Sequence, residues 1–234
     1  MVTEPVELSS LRLSFTRVAD PDRVLDDIAA DEDRRERATG RRASDDQLHL
    51  PYWAELWDSA FGIGQFLVRN RTEDSGLRTQ PERAIPRSVL SRSVLDLGCG
   101  MGFAGTVAAA CGHRVLFADL ESPALLFARL NSLTWRQRVR TRQLNWRTDR
   151  LDERFDLILG ADILYERKQW DHLEPFWRAH LADNGSVLLG EPGRRTGELF
   201  VDWIRERGWN LGELAEPVET RSNPIRLFRL TLRR

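Results

Sequence analysis

Val94-Leu95-Asp96-Leu97-Gly98-Cys99-Gly100-Met101-Gly102 is an apolar run that ends in three alternating glycines. Glycine permits positive φ and lets a ligand approach the backbone closely. The helix expected to follow offers free N–H groups and a field that favours an anion. The next strand-like run, Arg114–Ala118, leads into Asp119 about 20 residues beyond the loop, where a carboxylate meets ribose hydroxyls. Together these suit a nucleoside cofactor with a carboxylate of its own, which S-adenosylmethionine is. A dinucleotide site is the rival, because Gly100, Gly102 and Gly105 match G-x-G-x-x-G. That fingerprint starts where the strand ends, however, and counted from Gly98 its third glycine would fall on Phe103. The register and Asp96 inside the strand favour S-adenosylmethionine. Asp96 either touches the ligand or braces the loop; the sequence leaves both open.

Phe155-Asp156-Leu157-Ile158-Leu159-Gly160-Ala161-Asp162-Ile163-Leu164-Tyr165 is the second such segment. In an open α/β sheet the ligand lies beyond the carboxyl ends of the strands at the switch point. A strand carrying Ala161 beside the glycine-loop strand brings Asp162 and Tyr165 to that crevice. Enzymes that methylate nucleobase amines carry Asn/Asp-Pro-Pro-Tyr/Phe here, whereas this chain has Asp162-Ile163-Leu164-Tyr165. Glu191-Pro192-Gly193-Arg194 follows another strand-like run and faces the same mouth, as a tight turn or as a substrate contact through Arg194. His49, His113, His172 and His180 are scattered and have no evident base partner.

The elements that must position these residues alternate. Strand-like runs at Ser93–Leu97, Arg114–Ala118, Arg140–Leu144, Phe155–Gly160 and Ser186–Gly190 are mostly separated by helical stretches. Those stretches are Phe103–Cys111, Pro123–Leu133, Lys168–Leu181 and Gly197–Gly208. Alternation of this kind implies parallel strands joined by right-handed crossovers. Trp209–Leu214 and Ile225–Leu232 have no helix between them, which predicts an antiparallel hairpin at one sheet edge. The expected fold is α/β: a Rossmann-like seven-stranded sheet, mostly parallel, with a C-terminal antiparallel hairpin and helices on both faces. A domain over residues 51–234 is expected to carry an N-terminal extension, residues 1–50. In that extension Leu11–Phe15 reads as an edge strand and Val24–Ala30 as a short helix. Asp31 to Asp46 reads as a solvated loop or frayed helix. Apolar residues at 57, 60, 61, 63, 66 and 67 suit one helix face, and Arg71 to Ser91 reads as a connection.

Composition narrows the class. The chain has 234 residues, 41% of them apolar and 30% charged, with a net charge of -1. That balance argues against a polyanionic partner. Lys168 is the single lysine among 35 basic residues, which reads as codon bias in a GC-rich genome. Cys99 and Cys111 give neither a metal spacing nor a disulfide framework. No apolar run reaches the ~20 residues of a membrane span, and no signal-like start is present, so a soluble cytoplasmic protein is expected.

Trp57-Asp58-Ser59-Ala60, the glycine loop and Gly160-Ala161-Asp162-Ile163-Leu164-Tyr165 give the chain a resemblance over about residues 48 to 195. It resembles the seven-β-strand protein lysine methyltransferases of the methyltransferase family 16 type and their bacterial nicotinamide N-methyltransferase-like relatives. Leu144-Asn145-Trp146 is a weaker match. The resemblance implies that Trp57 walls the cofactor, that Gly98, Cys99 and Gly100 contact it through backbone, and that Asp119 binds the ribose. It further implies that Trp146 packs on the adenine beside Asn145 and that Ala161 lines the pocket. Asp162 and Tyr165 would then accept and orient an incoming amine. The other tryptophans, including Trp135, Trp170, Trp177 and Trp203, read as packing. The implied acceptor is a protein lysine, with a small-molecule amine as the alternative and a catalytically silent S-adenosylmethionine-binding regulator as a third reading. Membrane and nucleic-acid partners are not expected.

Overall fold

The computed structural model describes residues 1–40, 51–73 and 92–233. His49 and most of the two connecting segments lie outside the described residues. The chain opens with β1 (Val2–Leu8) and β2 (Leu11–Arg17), then α1 (Pro21–Thr39) and α2 (Asp58–Glu73). Strand–helix alternation follows: β3 (Ser93–Leu97), α3 (Phe103–Ala110), β4 (Arg114–Asp119), α4 (Ser122–Asn131) and β5 (Val139–Gln143). The rest is β6 (Phe155–Ala161), α5 (Arg167–His180), β7 (Leu181–Glu191), α6 (Arg195–Glu206), β8 (Trp209–Glu216) and β9 (Ile225–Leu232).

The seven-stranded sheet has the order β5-β4-β3-β6-β7-β9-β8. β3 pairs in parallel with β4 on one side and with β6 on the other. The direction of winding therefore reverses between β3 and β6, which makes their carboxyl ends the switch point. β9 runs antiparallel to both β7 and β8, closing the sheet with the expected hairpin.

Period-two alternation distributes the strand residues over two cores. Val94, Val115, Phe117, Leu157 and Leu159 join the apolar cluster that also holds Phe103 and Val107 of α3 and Ile63 of α2. Leu95, Leu97, Leu116, Ala118 and Ile158 face the other way, toward Trp170, Phe176 and Trp177 of α5 and Phe200 of α6. The expected packing role of Trp170 and Trp177 holds, since both are fully buried.

The N-terminal segment departs from expectation. Leu11–Phe15 lies in a separate two-stranded hairpin with β1, not at the edge of the main sheet. Its buried Leu8, Leu13 and Phe15 belong to the α2/α3 core, with Phe15 edge-on to Phe103 at 5.0 Å. The helix expected over Val24–Ala30 extends through the charged stretch to Thr39. Asp20 caps it by accepting from Arg23 N–H at 3.1 Å, and Gly40 ends it at φ 64°. Good caps and straight-chain residues sustain a helix that has little apolar face.

Gly105 marks the closest approach of α3 to the sheet. A Cβ there would lie 2.3 Å from Phe117 Cε1 and 2.7 Å from Asp96 Oδ2. Gly105→Ala should therefore destabilise the fold by about 1–3 kcal/mol through overpacking. The urea midpoint measures this; an unchanged midpoint would show that α3 does not press on the sheet at this residue.

Candidate active site

β3 ends at Leu97, and the chain leaves it through Gly98, Gly100 and Gly102 at φ 64°, 52° and 81°. Three left-handed residues in five explain the alternating glycines. The loop is fastened by its own N–H groups. Gly98 and Cys99 both donate to Ala118 O, at 2.8 and 3.1 Å, and Gly102 donates to Cys99 O at 2.8 Å. Gly100 N–H donates to Asp119 Oδ2 at 2.8 Å, while Asp119 Oδ1 accepts from Glu121 N–H at 2.9 Å. Burial raises the Asp119 carboxyl above the usual range, against the pull of these two N–H groups. Each oxygen of an ionised carboxylate keeps further lone-pair capacity for a hydroxyl.

Asp96 lies inside the strand that leads into the loop. Strand alternation puts it on the α3 side, below Val94, and it is 1% exposed. Its Oδ2 accepts from Gly105 N–H at 2.8 Å, so it braces the first turn of α3 from beneath. That hydrogen bond is the brace on the helix after the loop. Cys99 is half-buried and burial pushes its thiol well up, so the residue offers the site its backbone and not a thiolate.

Trp146 lies over the loop. A Cβ on Gly98 would sit 3.4 Å from Trp146 Cζ3 and 3.0 Å from Ile163 Cγ2. The indole N–H donates to Gln169 Oε1 at 3.1 Å, which fixes the ring. Asn145 is committed to the turn beside it. Its Oδ1 accepts from Arg147 N–H at 3.0 Å, and its carbonyl accepts from Thr148 and Asp149 N–H.

Across the crevice, Ala161 ends β6 and Asp162 follows at φ 55°. An aspartate tolerates that region better than most side chains. Asp162 N–H donates to Gly190 O at 2.9 Å, which anchors the turn to β7. The carboxylate is not free: Arg194 Nε and Nη2 donate to Oδ1 and Oδ2 at 3.1 and 2.8 Å, a bidentate fork. The same guanidinium stands 5.6 Å from the Trp57 ring centroid. Glu191, 1% exposed, holds the turn that presents Arg194 by accepting from Gly193 and Arg194 N–H.

Trp57 precedes α2 by one residue and its indole N–H donates to Tyr52 O at 3.0 Å. Tyr52 stands edge-on to Trp57 at 6.4 Å and to Tyr165 at 5.3 Å. Burial raises the Tyr165 hydroxyl to about 12, so it stays a neutral donor and acceptor. Sequence reasoning missed Tyr52 and the pairing of Arg194 with Asp162. Tyr52 carried the signal of being one of only two tyrosines. His180 plays a structural part: its buried Nε2 accepts from Leu151 N–H, and its Nδ1 meets Phe176 O. Among the described residues no cluster of His, Cys, Asp and Glu is placed to hold a metal ion, and no helix is long and apolar enough to cross a membrane.

The mostly parallel sheet with its winding reversal at the glycine loop, and the Asp-x-x-Tyr turn that follows the adjoining strand, define a methyltransferase fold. A family model described as lysine methyltransferase matches residues 46–206, and the chain belongs to that family. Protein N-lysine methyltransferase METTL21A of Xenopus tropicalis is 35% identical over 155 residues, 62% of this chain and 62% of that protein. The METTL21A of Danio rerio is 32% identical over 177 residues, covering 71% and 73%. Electron transfer flavoprotein beta subunit lysine methyltransferase of Mus musculus is 28% identical over 183 residues, covering 75% and 64%. The chain thus spans less than two thirds of the length of several relatives it matches. Among solved structures, the glycopeptide N-methyltransferase MtfA complexed with S-adenosyl-L-homocysteine aligns with TM-score 0.59 at 14% identity, over 86% of this chain and 96% of that one. N-methyltransferase NodS from Bradyrhizobium japonicum aligns with TM-score 0.55 at 17% identity, over 76% and 98%. At these identities the likeness is one of fold.

Asp96 carries a pH signature. Burial raises its carboxyl to about 7, opposed by the Gly105 N–H and assisted by the Asp119 charge. A carboxyl raised in the folded state stabilises while protonated. That contribution is present below the unfolded value of about 4 and is lost as pH rises through about 7. Asp96→Asn removes the titration, so its melting temperature relative to the wild type should rise between about pH 5 and about pH 8. A difference that stays flat across that range would contradict the assignment.

Proposed function

We propose that this chain is an S-adenosylmethionine-dependent protein N-lysine methyltransferase. The observation that carries the reading is the set of groups gathered at the carboxyl ends of the adjacent strands β3 and β6. The glycine loop and Asp119 supply one side, and Asp162 with Arg194, Trp57, Tyr52 and Tyr165 supply the other. The family of the chain and the names of its relatives support lysine as the acceptor. A reducing, cytoplasmic setting suits the two free cysteines.

The residues present fit the cofactor. Asp119 offers lone pairs at the end of β4, Trp146 brings its indole against Gly98, and the glycines at positive φ let the loop curl tightly beside both. In this reading Gly98, Cys99 and Gly100 meet the ligand through backbone, Trp146 stacks on the adenine, Asn145 offers its amide beside it, and Ala161 and Trp57 line the methionine side. Asp96 acts through α3. When bound, S-adenosylmethionine supplies a methyl carbon made electrophilic by its sulfonium.

The remaining work falls to the protein: to orient an amine and keep it neutral. A lysine amine carries a proton at neutral pH, with an ordinary pKa of about 10.4, and an ammonium has no lone pair. An unpaired Asp162 would stabilise the ammonium and hold it in the wrong state. The Arg194 fork neutralises Asp162, so the carboxylate accepts hydrogen bonds from the amine without trapping its charged form. Tyr52, Trp57 and Tyr165 form an aromatic wall that desolvates the amine and favours its neutral form. The displaced proton leaves through water. Alignment of this kind supplies several kcal/mol of barrier reduction.

Tritiated S-adenosylmethionine, supplied with cell lysate, tests the reading. The wild type should place label in a protein band, and Asp162→Ala should bind the cofactor yet transfer at most about 1% as fast. Label confined to small molecules would overturn the protein acceptor. With the labelled protein purified and saturating, Arg194→Met should move the acid limb of kcat upward by about 1 pH unit. A rate lowered equally at every pH would show that Arg194 only shapes the turn.

A further inference from the structure

Asn131 ends α4 far from β2 in sequence, is 7% exposed, and makes three hydrogen bonds with its side-chain amide. Nδ2 donates to Thr16 O at 2.9 Å and to Met101 O at 3.0 Å. Oδ1 accepts from Thr16 N–H at 2.7 Å. One N–H and two carbonyls surround the amide, so only this orientation satisfies all of them. Thr16 belongs to β2 of the N-terminal hairpin, and Met101 is the loop residue between Gly100 and Gly102. A second link runs beside the first, because Val18 N–H points at Met101 Sδ at 3.3 Å.

The glycine loop is therefore held from three directions. Asp119 holds Gly100 at the end of β4, Asp96 holds Gly105 from beneath, and Asn131 holds Met101 from behind. The third hold matters because of the residues around it. A peptide unit is rigid, so its carbonyl and the following N–H point in opposite directions. Gly102, on the far side of this peptide, accepts either hand of the backbone, so the peptide can flip unless its carbonyl is held. Pinning Met101 C=O on Asn131 directs Gly102 N–H to Cys99 O at 2.8 Å and fixes the curl of the loop.

We infer that Asn131 is a positioning residue for the cofactor loop and that the N-terminal hairpin is, through it, a working part of the cofactor site. The inference rests on the reading that this loop holds S-adenosylmethionine. A hairpin that looks peripheral in sequence then sets how tightly the cofactor binds without touching it.

Calorimetric titration with S-adenosylmethionine tests this on the full chain, well below the melting temperature. Asn131→Ala leaves Met101 C=O without its partner and should weaken binding about tenfold, in line with the usual loss for a buried unpaired group. Leu8→Ala serves as the control. It cuts a buried β1 side chain out of the same core at the turn end of the hairpin, where Leu8 pairs with Leu11, whereas Thr16 pairs with Thr3 at the other end. It should lower the melting temperature while keeping the wild-type affinity. Asn131→Asp keeps the size and the acceptor for Thr16 N–H but in its ionised form cannot donate to Met101, so at alkaline pH it should weaken binding as the alanine does. If Asn131→Ala does not fold, Asn131→Asp carries the test. Without cofactor, the Met101 and Gly102 amides should also exchange hydrogen faster in the Asn131 variants than in Leu8→Ala.

Wild-type affinity in both Asn131 variants would overturn the inference. So would an equal loss in Leu8→Ala, which would reduce the effect to general destabilisation. A wild-type chain that binds no S-adenosylmethionine would overturn the functional reading itself, and this inference with it.

Discussion

The hydrogen bond from Gly100 N–H to Asp119 Oδ2 joins the loop after β3 to the end of β4, and the site is organised around that tie. A glycine-rich loop has many conformations to lose on folding. Here one carboxylate, itself buried and held by Glu121 N–H, selects one of them. The interaction is costly to build, because burial disfavours the charged form of Asp119. It persists because the carboxylate accepts two backbone N–H groups and sits at the positive end of the crevice formed by the loop and α3. The parallel pairing of β3 with β4 and β6 brings this tie within reach of Asp162.

The opposite wall follows a similar logic with a different pair. Asp162 is strained at φ 55° and buried, and Arg194 satisfies both of its oxygens. Glu191, buried at the end of β7, presents Arg194 by capping its turn, and Arg226 of β9 approaches Glu191 at 3.7 Å. Each of these two carboxylates thus has an arginine beside it.

Much of this was legible in the residues. The strand–helix alternation placed β3 to β9 because period-two and helical patterns are local properties, read within a few residues. The glycine loop, Asp119, Asp162 and Tyr165 were visible for the same reason. Alternation also puts Asp96 on the face of Val94, but its hydrogen bond to Gly105 N–H depends on how α3 packs on the sheet. Other features depend on contacts between distant residues. Arg194 meets Asp162 across 32 positions, and Thr16 meets Asn131 across 115. No local pattern in Leu11–Phe15 distinguishes an edge strand from half of a separate hairpin. The length of α1 escaped notice because its charged face suggests solvent, whereas its caps decide where it ends.

A crystal structure of the chain with S-adenosyl-L-homocysteine tests the central claim most directly. The account predicts the adenine against Trp146, the ribose hydroxyls on Asp119, and the sulfur turned toward Asp162 and Tyr165 between the ends of β3 and β6. Ligand bound elsewhere would contradict it. So would a sulfur facing away from the Asp162–Arg194 pair, because the acceptor amine could then not reach the methyl group from the aromatic wall.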